Sequence, residues 1–146
     1  MKRNDVLAYG ILALAAVALI FSFTGFGFLK SEDGGKAAES GFKAIETGTT
    51  DQNDVSISLT PKGFVDGKLS VEISANTHSV DLSQFDLKKI TTLEFEDKIV
   101  NPIQAPTLSG HHASGTLVFD VGKEIKAFTI TIKEVPAVED RVFSWN

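Results

Sequence analysis

Val55-Ser56-Ile57-Ser58-Leu59-Thr60 and, beyond Asp66-Gly67, Lys68-Leu69-Ser70-Val71-Glu72-Ile73-Ser74-Ala75 alternate apolar with hydroxyl or charged residues one by one. A strand sends successive side chains to opposite faces, so this period of two predicts two half-buried strands. Val55, Ile57 and Leu59 share one face, and Leu69, Val71, Ile73 and Ala75 share another. Asp66-Gly67 suits a tight hairpin turn between them, and Pro61-Lys62-Gly63 is expected to end the first strand. The same pattern recurs downstream. Residues 91–95 read as a strand, and Glu96-Asp97-Lys98 turns into another over residues 99–103. Residues 116–121, 127–134 and 141–145 complete the set, with Phe128, Ile130 and Ile132 alternating in the middle one. Phe143 and Trp145 share strand parity and are expected in the core. Residues 82–89 are less regular and accommodate one helical turn. With no helix long enough for a crossover, the expectation is all-β: an immunoglobulin-like sandwich of about seven strands.

Upstream of that block the composition changes. Residues 6–29 form a run of 24 residues without a charge, holding four of the eleven phenylalanines: Phe21, Phe23, Phe26 and Phe28. A hydrocarbon core about 30 Å thick needs roughly 20 apolar residues at about 1.5 Å each, which this run exceeds. Lys2 and Arg3 precede it, so the positive-inside rule leaves the N-terminus in the cytoplasm and the rest outside. A cleaved signal peptide is the rival reading, but its apolar region spans only about 7–15 residues before small ones. Phe26 and Phe28 stand where those small residues are wanted. A type IV pilin leader is a further alternative, although no processing site is visible before Val6. The expected organisation is a transmembrane anchor at 1–30, a flexible linker at 31–53 and an extracytoplasmic β-sandwich at 54–146. Gly34-Gly35, Gly41 and Gly48 mark the linker, within which residues 36–46 could form a short helix. In the anchor, Ala8, Ala15, Ala18, Ser22 and Gly25 make a narrow stripe on which another transmembrane helix could pack. The bland alternative is that alanine is common in such helices, and Ile11 interrupts the seam.

Charge and cysteine narrow the function. From Lys30 onward, 12 Lys and Arg face 18 Asp and Glu, a balance of −6. Without a basic stripe to offset phosphate repulsion, nucleic acid is not an expected partner. The chain has no cysteine, which excludes disulfides, thiolate metal sites, thiol catalysis and a lipoprotein acylation site together. Met1 is the only methionine, so a thioether copper(I) site is excluded as well.

The three histidines lie in two segments: Asn76-Thr77-His78-Ser79-Val80-Asp81-Leu82 and Ser109-Gly110-His111-His112-Ala113-Ser114-Gly115. The first follows one predicted strand and the second precedes another of opposite direction, which puts both at one pole of the sandwich. His78, His111 and His112 could therefore converge with Asp81, a donor set that suits copper(II) or zinc. The structural alternative is that Thr77, Ser79 and Asp81 organise a turn, with Gly110 and Gly115 as backbone devices. Catalysis has little support. Ser79, His78 and Asp81 are too close in sequence for a converging triad, Glu94 and Glu96 are expected to face solvent, and no phosphate-cradling glycine loop is present. Arg141 reads as a surface residue at the sandwich edge.

The same two segments, with Ser114-Gly115-Thr116-Leu117, Phe119 and the closing Arg141-Val142-Phe143-Ser144-Trp145, resemble a family of uncharacterised bacterial and archaeal membrane-anchored extracytoplasmic β-domains. The resemblance spans roughly residues 55–146, and its specific part is the Asn-Thr-His-Ser-Val-Asp-Leu and Gly-His-His loops. The family's Gly-rich approach to the paired histidines is replaced here by Gln104-Ala105-Pro106-Thr107-Leu108-Ser109. The resemblance implies a β-domain and an outside address, and no activity. The expected function is a non-enzymatic interaction or accessory module at the membrane, with copper or zinc binding as the alternative.

Overall fold

The computed structural model describes residues 41–146. The predicted anchor, and the linker before residue 41, lie outside the described residues. Among the described residues no helix is long and apolar enough to cross a membrane.

The described residues form eight strands: β1 (Ile45–Thr47), β2 (Ser56–Val65), β3 (Lys68–Asn76), β4 (Thr91–Phe95), β5 (Lys98–Val100), β6 (His112–Asp120), β7 (Phe128–Lys133) and β8 (Asp140–Trp145). A single 3-10 turn (Leu82–Gln84) and a four-residue helix, α1 (Leu87–Ile90), separate β3 from β4. The strands form two four-stranded antiparallel sheets, ordered β1-β2-β3-β6 and β5-β4-β7-β8. The predicted all-β, two-sheet character is what the chain adopts.

The alternating pattern explains the core. Ile57, Leu59, Leu69, Val71, Ile73, Leu117 and Phe119 from one sheet join Leu93, Phe95, Phe128, Ile130, Ile132, Phe143 and Trp145 from the other in one buried cluster. Each fully buried large aliphatic or aromatic side chain contributes about 1.5–3 kcal/mol relative to exposure, which replaces the disulfides this chain lacks. The outer faces are hydroxyl-rich: Ser58, Ser74 and Ser114 stand in register across β2, β3 and β6.

Four details differ from the sequence reading, each for a local reason. The β2 strand does not stop at Pro61-Lys62-Gly63 but continues to Val65 with a bulge between Pro61 and Gly63. The bulge is where a strand tolerates a proline, which has no N–H to give to the ladder. The β2–β3 turn is then built by Asp66 (φ 50°) and Gly67 (φ 72°), the left-handed pair a two-residue hairpin prefers. The β6 strand begins at His112, earlier than predicted, because His112 and Ser114 continue the ladder opposite Asn76 and Ser74 despite Gly115. The β5 strand ends at Val100, just before Asn101-Pro102.

The fourth difference is the eighth strand. Residues 41–53 were expected to be flexible linker, with a helix reaching Glu46. Instead Ile45, Glu46 and Thr47 pair with Leu59, Ser58 and Ile57. The Phe42 ring stands edge-on to Phe128, 5.2 Å between centroids, and Phe128 stacks on Trp145 at 5.0 Å. The Trp145 indole N–H donates to the Lys43 carbonyl at 2.7 Å. The described chain thus enters the sandwich at an aromatic pole, where β1 begins and β8 ends. The opposite pole, where β3 ends and β6 begins, carries the histidines.

Candidate functional site

At the histidine pole the two loops meet through their backbones. The Thr77 N–H donates to the His111 carbonyl at 2.9 Å, directly beyond the Asn76–His112 pair of the β3–β6 ladder. The sequence expectation that both loops share a pole therefore holds, and by direct neighbourhood rather than loose proximity. The imidazoles are distributed differently from the backbones. His112 sits on the outward parity of β6, and its Nδ1 lies 2.8 Å from the Asn76 Oδ1. This side-chain contact ties the start of β6 to the end of β3. His78 and His111 border a shallow open hollow together with Ser79, Val80, Asp81 and Gly110. Adjacent residues of an extended chain point to opposite sides, which separates His111 from His112. Among the described residues no group of three or more His, Asp or Glu side chains could hold a metal ion.

The loops' own polar groups are mostly engaged in holding their shape. The Asp81 Oδ1 accepts from the Ser83 hydroxyl at 2.7 Å and the Ser83 N–H at 3.0 Å, capping the 3-10 turn. Those bonds hold its carboxyl below the usual aspartate range. The Thr77 hydroxyl is fully buried. It donates to the Asp54 carbonyl at 2.8 Å and accepts from Ser79 N–H and Val80 N–H at 3.3 and 3.2 Å. Asn53 N–H donates to the Ser79 hydroxyl at 2.7 Å, fixing the first histidine loop against the chain that precedes β2. Gly110 has φ 75°, and a Cβ on Gly115 would lie 2.4 Å from the Pro106 Cβ. Both glycines are thus backbone devices of the paired-histidine loop.

The most buried feature of this pole is one the sequence reading placed at the surface. Arg141 is fully buried, and the surface assignment is corrected accordingly. It lies on the same parity of β8 as Phe143 and Trp145, so its side chain enters the interior. Its Nη2 donates to the Asp54 Oδ1 and to the Pro136 carbonyl, both at 2.8 Å. Its Nη1 donates to the Thr47 carbonyl at 3.2 Å and more weakly to the Thr47 Oγ1 at 3.4 Å. The Nε is buried and has no hydrogen-bond partner among the described residues. Asp54 completes the arrangement: its Oδ1 also accepts from Val55 N–H, and its Oδ2 accepts from the Thr49 N–H and hydroxyl. Burial pushes the Asp54 carboxyl up, but the Arg141 guanidinium and the N–H groups of Val55 and Thr49 outweigh it and hold the pKa at about 2. Gly48 (φ 79°) makes room for this ion pair, since a Cβ there would lie 2.2 Å from the Arg141 Nη1 and 2.3 Å from the Val55 carbonyl oxygen.

Asp54 is therefore a hub that sequence reasoning missed. Its side chain binds Arg141, and its carbonyl binds Thr77. The signal that could have found it was parity: an arginine alternating with Phe143 and Trp145 needs a buried acceptor. Glu94 and Glu96 are exposed, as expected, and Glu96 pairs with Lys123 at 2.6 Å near the aromatic pole. Comparison with known protein families, with curated proteins and with solved structures gives no match for this chain.

Proposed function

We propose that this chain is a membrane-anchored interaction or accessory module, non-enzymatic, that holds an immunoglobulin-like sandwich outside the cell and offers its histidine pole to a protein partner. The observation that carries the reading is the route of the chain. Phe42 and Lys43 are fastened at the aromatic pole by Phe128 and Trp145, opposite the histidine loops. Residues 6–29 would supply the membrane helix, and the loops of residues 77–81 and 109–112 the surface offered to a partner. The strand order supports the immunoglobulin-like assignment. The strands β2, β3 and β6 take the places of A, B and E, and β4, β7 and β8 those of C, F and G, with β5 as an added strand beside C. The departures are the buried tryptophan, which here lies on β8, and the absence of the inter-sheet disulfide. The resemblance to membrane-anchored extracytoplasmic β-domains supports the same address. The engagement of Asp81, Thr77 and His112 in loop-shaping bonds supports the non-enzymatic part of the reading, since it leaves them poorly placed for catalysis.

The natural chain lacks cysteine, so a single one placed at Ser109 reports topology without interference. Ser109→Cys should react with a membrane-impermeant maleimide in intact cells; reaction only after lysis would overturn the outside address. A photo-crosslinker at Ser109 should capture a partner that one at Glu124, near the aromatic pole, does not. A lone monomer from mild detergent, with no adduct from either position, would sink the interaction reading. A second reading is copper(II) or zinc binding, for which His78 and His111 border one hollow although no group of three described side chains is set to hold the ion. It predicts micromolar or tighter binding in calorimetry, lost in His78→Ala with thermal stability nearly intact.

A further inference from the structure

We propose that residues 42–48 act as a strap whose docking holds the histidine loops in order, with Arg141 and Asp54 relaying its state to those loops. The physiological sense of this coupling rests on the anchored reading above, whereas its test does not.

The strap is attached lightly. Its middle is a three-residue edge strand, and Lys43, Ala44 and Glu46 are exposed along it. At the aromatic pole it is held by the Phe42–Phe128 contact and the Trp145 indole, in its middle by the Ser56 hydroxyl donating to the Glu46 carboxylate, and at the histidine pole by Arg141 against Thr47. The remaining seven strands make their two sheets without it, so it can lift while the sandwich persists. Lifting would take the Thr47 carbonyl and hydroxyl from Nη1 of a fully buried guanidinium whose Nε already has no partner among the described residues. A buried cation that loses acceptors must move toward water or toward another acceptor. Either movement pulls on the Asp54 Oδ1, which Nη2 shares with Val55 N–H.

Asp54 passes the disturbance on, because its carbonyl receives the Thr77 hydroxyl. That hydroxyl gathers the Ser79 and Val80 amides, and the Thr77 amide holds the His111 carbonyl. An unbroken series of hydrogen bonds thus runs from Thr47 through Arg141, Asp54 and Thr77 to both histidine loops. In a chain tethered at its N-terminal side, tension would act first on Phe42 and the strap. Conversely, a partner that tightens the loops would tighten the strap, since coupling between two sites is reciprocal.

Hydrogen exchange of the full chain tests this directly. In Phe42→Ala/Ile45→Ser, which loosens the strap, the amides of residues 77, 79 and 80 should exchange about tenfold faster or more, while those of Val71, Ile73, Ile130 and Ile132 keep wild-type protection. Faster exchange confined to residues 42–49, or equal acceleration of the core amides, overturns the proposal. A second variant enters from the other end. Thr77→Val keeps the shape of the side chain and removes the hydroxyl, and it should speed exchange at residues 45–49. Combining it with the strap variant should give less than the sum of the separate effects. Additive effects, or a Thr77→Val change restricted to residues 77–80, equally overturn it.

Discussion

At the histidine pole the gap between the sheets is filled by the Arg141 guanidinium, with Asp54, Thr47 and Pro136 supplying acceptors around it. At the aromatic pole the corresponding gap is filled by Phe42, Phe128 and Trp145, with one indole N–H bonded to the backbone. Both arrangements fasten the 42–48 segment to β8, yet their energetics differ in kind. Aromatic closure gains from area removed from water and tolerates small displacements. Ionic closure gains from direction and charge, and it is costly when half of it is missing. One pole is therefore robust and non-specific, while the other specifies where each loop must lie.

The largest expected effect comes from breaking the ionic closure. Arg141→Ala should cost about 3–5 kcal/mol, because it strands the Asp54 carboxylate and the carbonyls that the guanidinium served. Trp145 is the only tryptophan, so its fluorescence during chemical denaturation reads the change. Arg141→Lys should recover little of the loss, since a single ammonium cannot reach Thr47, Asp54 and Pro136 together. A loss below about 1 kcal/mol would place this pair with ordinary surface ion pairs and erase the contrast between the poles. Next is Gly48→Ala. The added Cβ meets the Arg141 Nη1 and the Val55 carbonyl, and φ 79° disfavours any side chain. A cost of about 2–3 kcal/mol is expected by thermal unfolding. At the aromatic pole, Trp145→Phe keeps most of the stacking and removes the bond to the Lys43 carbonyl. It should cost about 1 kcal/mol by circular dichroism, the smaller loss that an apolar closure implies.

The contrast between poles also marks what was legible in the sequence. Period-two alternation in residues 55–60, 68–75 and 128–132 gave the strands and the buried faces, because a half-buried sheet leaves that imprint on every strand it contains. The shared pole of the two histidine loops followed from strand direction alone. The 45–47 strand left no such imprint: three residues between two glycines are too short to show a period, and their pairing is decided by β2. Residue type points Arg141 to the surface, whereas its parity with Phe143 and Trp145 points it to the interior, and parity decides. The separation of His112 from His111 was visible as an alternation. Its anchoring by Asn76 was not, since cross-strand partners depend on register.

Acidification separates the poles further. Asp54 is held at about 2 against 3.8 for an ordinary aspartate, so its contribution is fully present above about pH 4 and is lost as pH falls from there toward 2. Stability of the wild type should decline more steeply over that window than that of Asp54→Asn, which is weaker at neutral pH and lacks this titration. Parallel acid limbs in the two proteins would show that Asp54 does not stabilise the fold through its charge. The histidine loops should lose order in the same window, read as faster exchange of the Ser79 and Val80 amides.

The smallest effect is expected where an ion pair of similar length stands in water. Lys123 reaches Glu96 at 2.6 Å and Arg141 reaches Asp54 at 2.8 Å, so bond length alone would rank the two pairs together. Their surroundings do not. The Lys123 and Glu96 side chains are more than half exposed, against 0% and 13% for Arg141 and Asp54. Water and salt screen the first pair and hydrate either partner left alone, while the second has no solvent to replace a missing partner. Lys123→Ala should accordingly leave the unfolding midpoint where it is in the wild type, at low and at high salt alike. A salt-dependent loss approaching that of Arg141→Ala would mean that exposure does not set the worth of these pairs, and the distinction between the two poles would have to be sought in geometry instead.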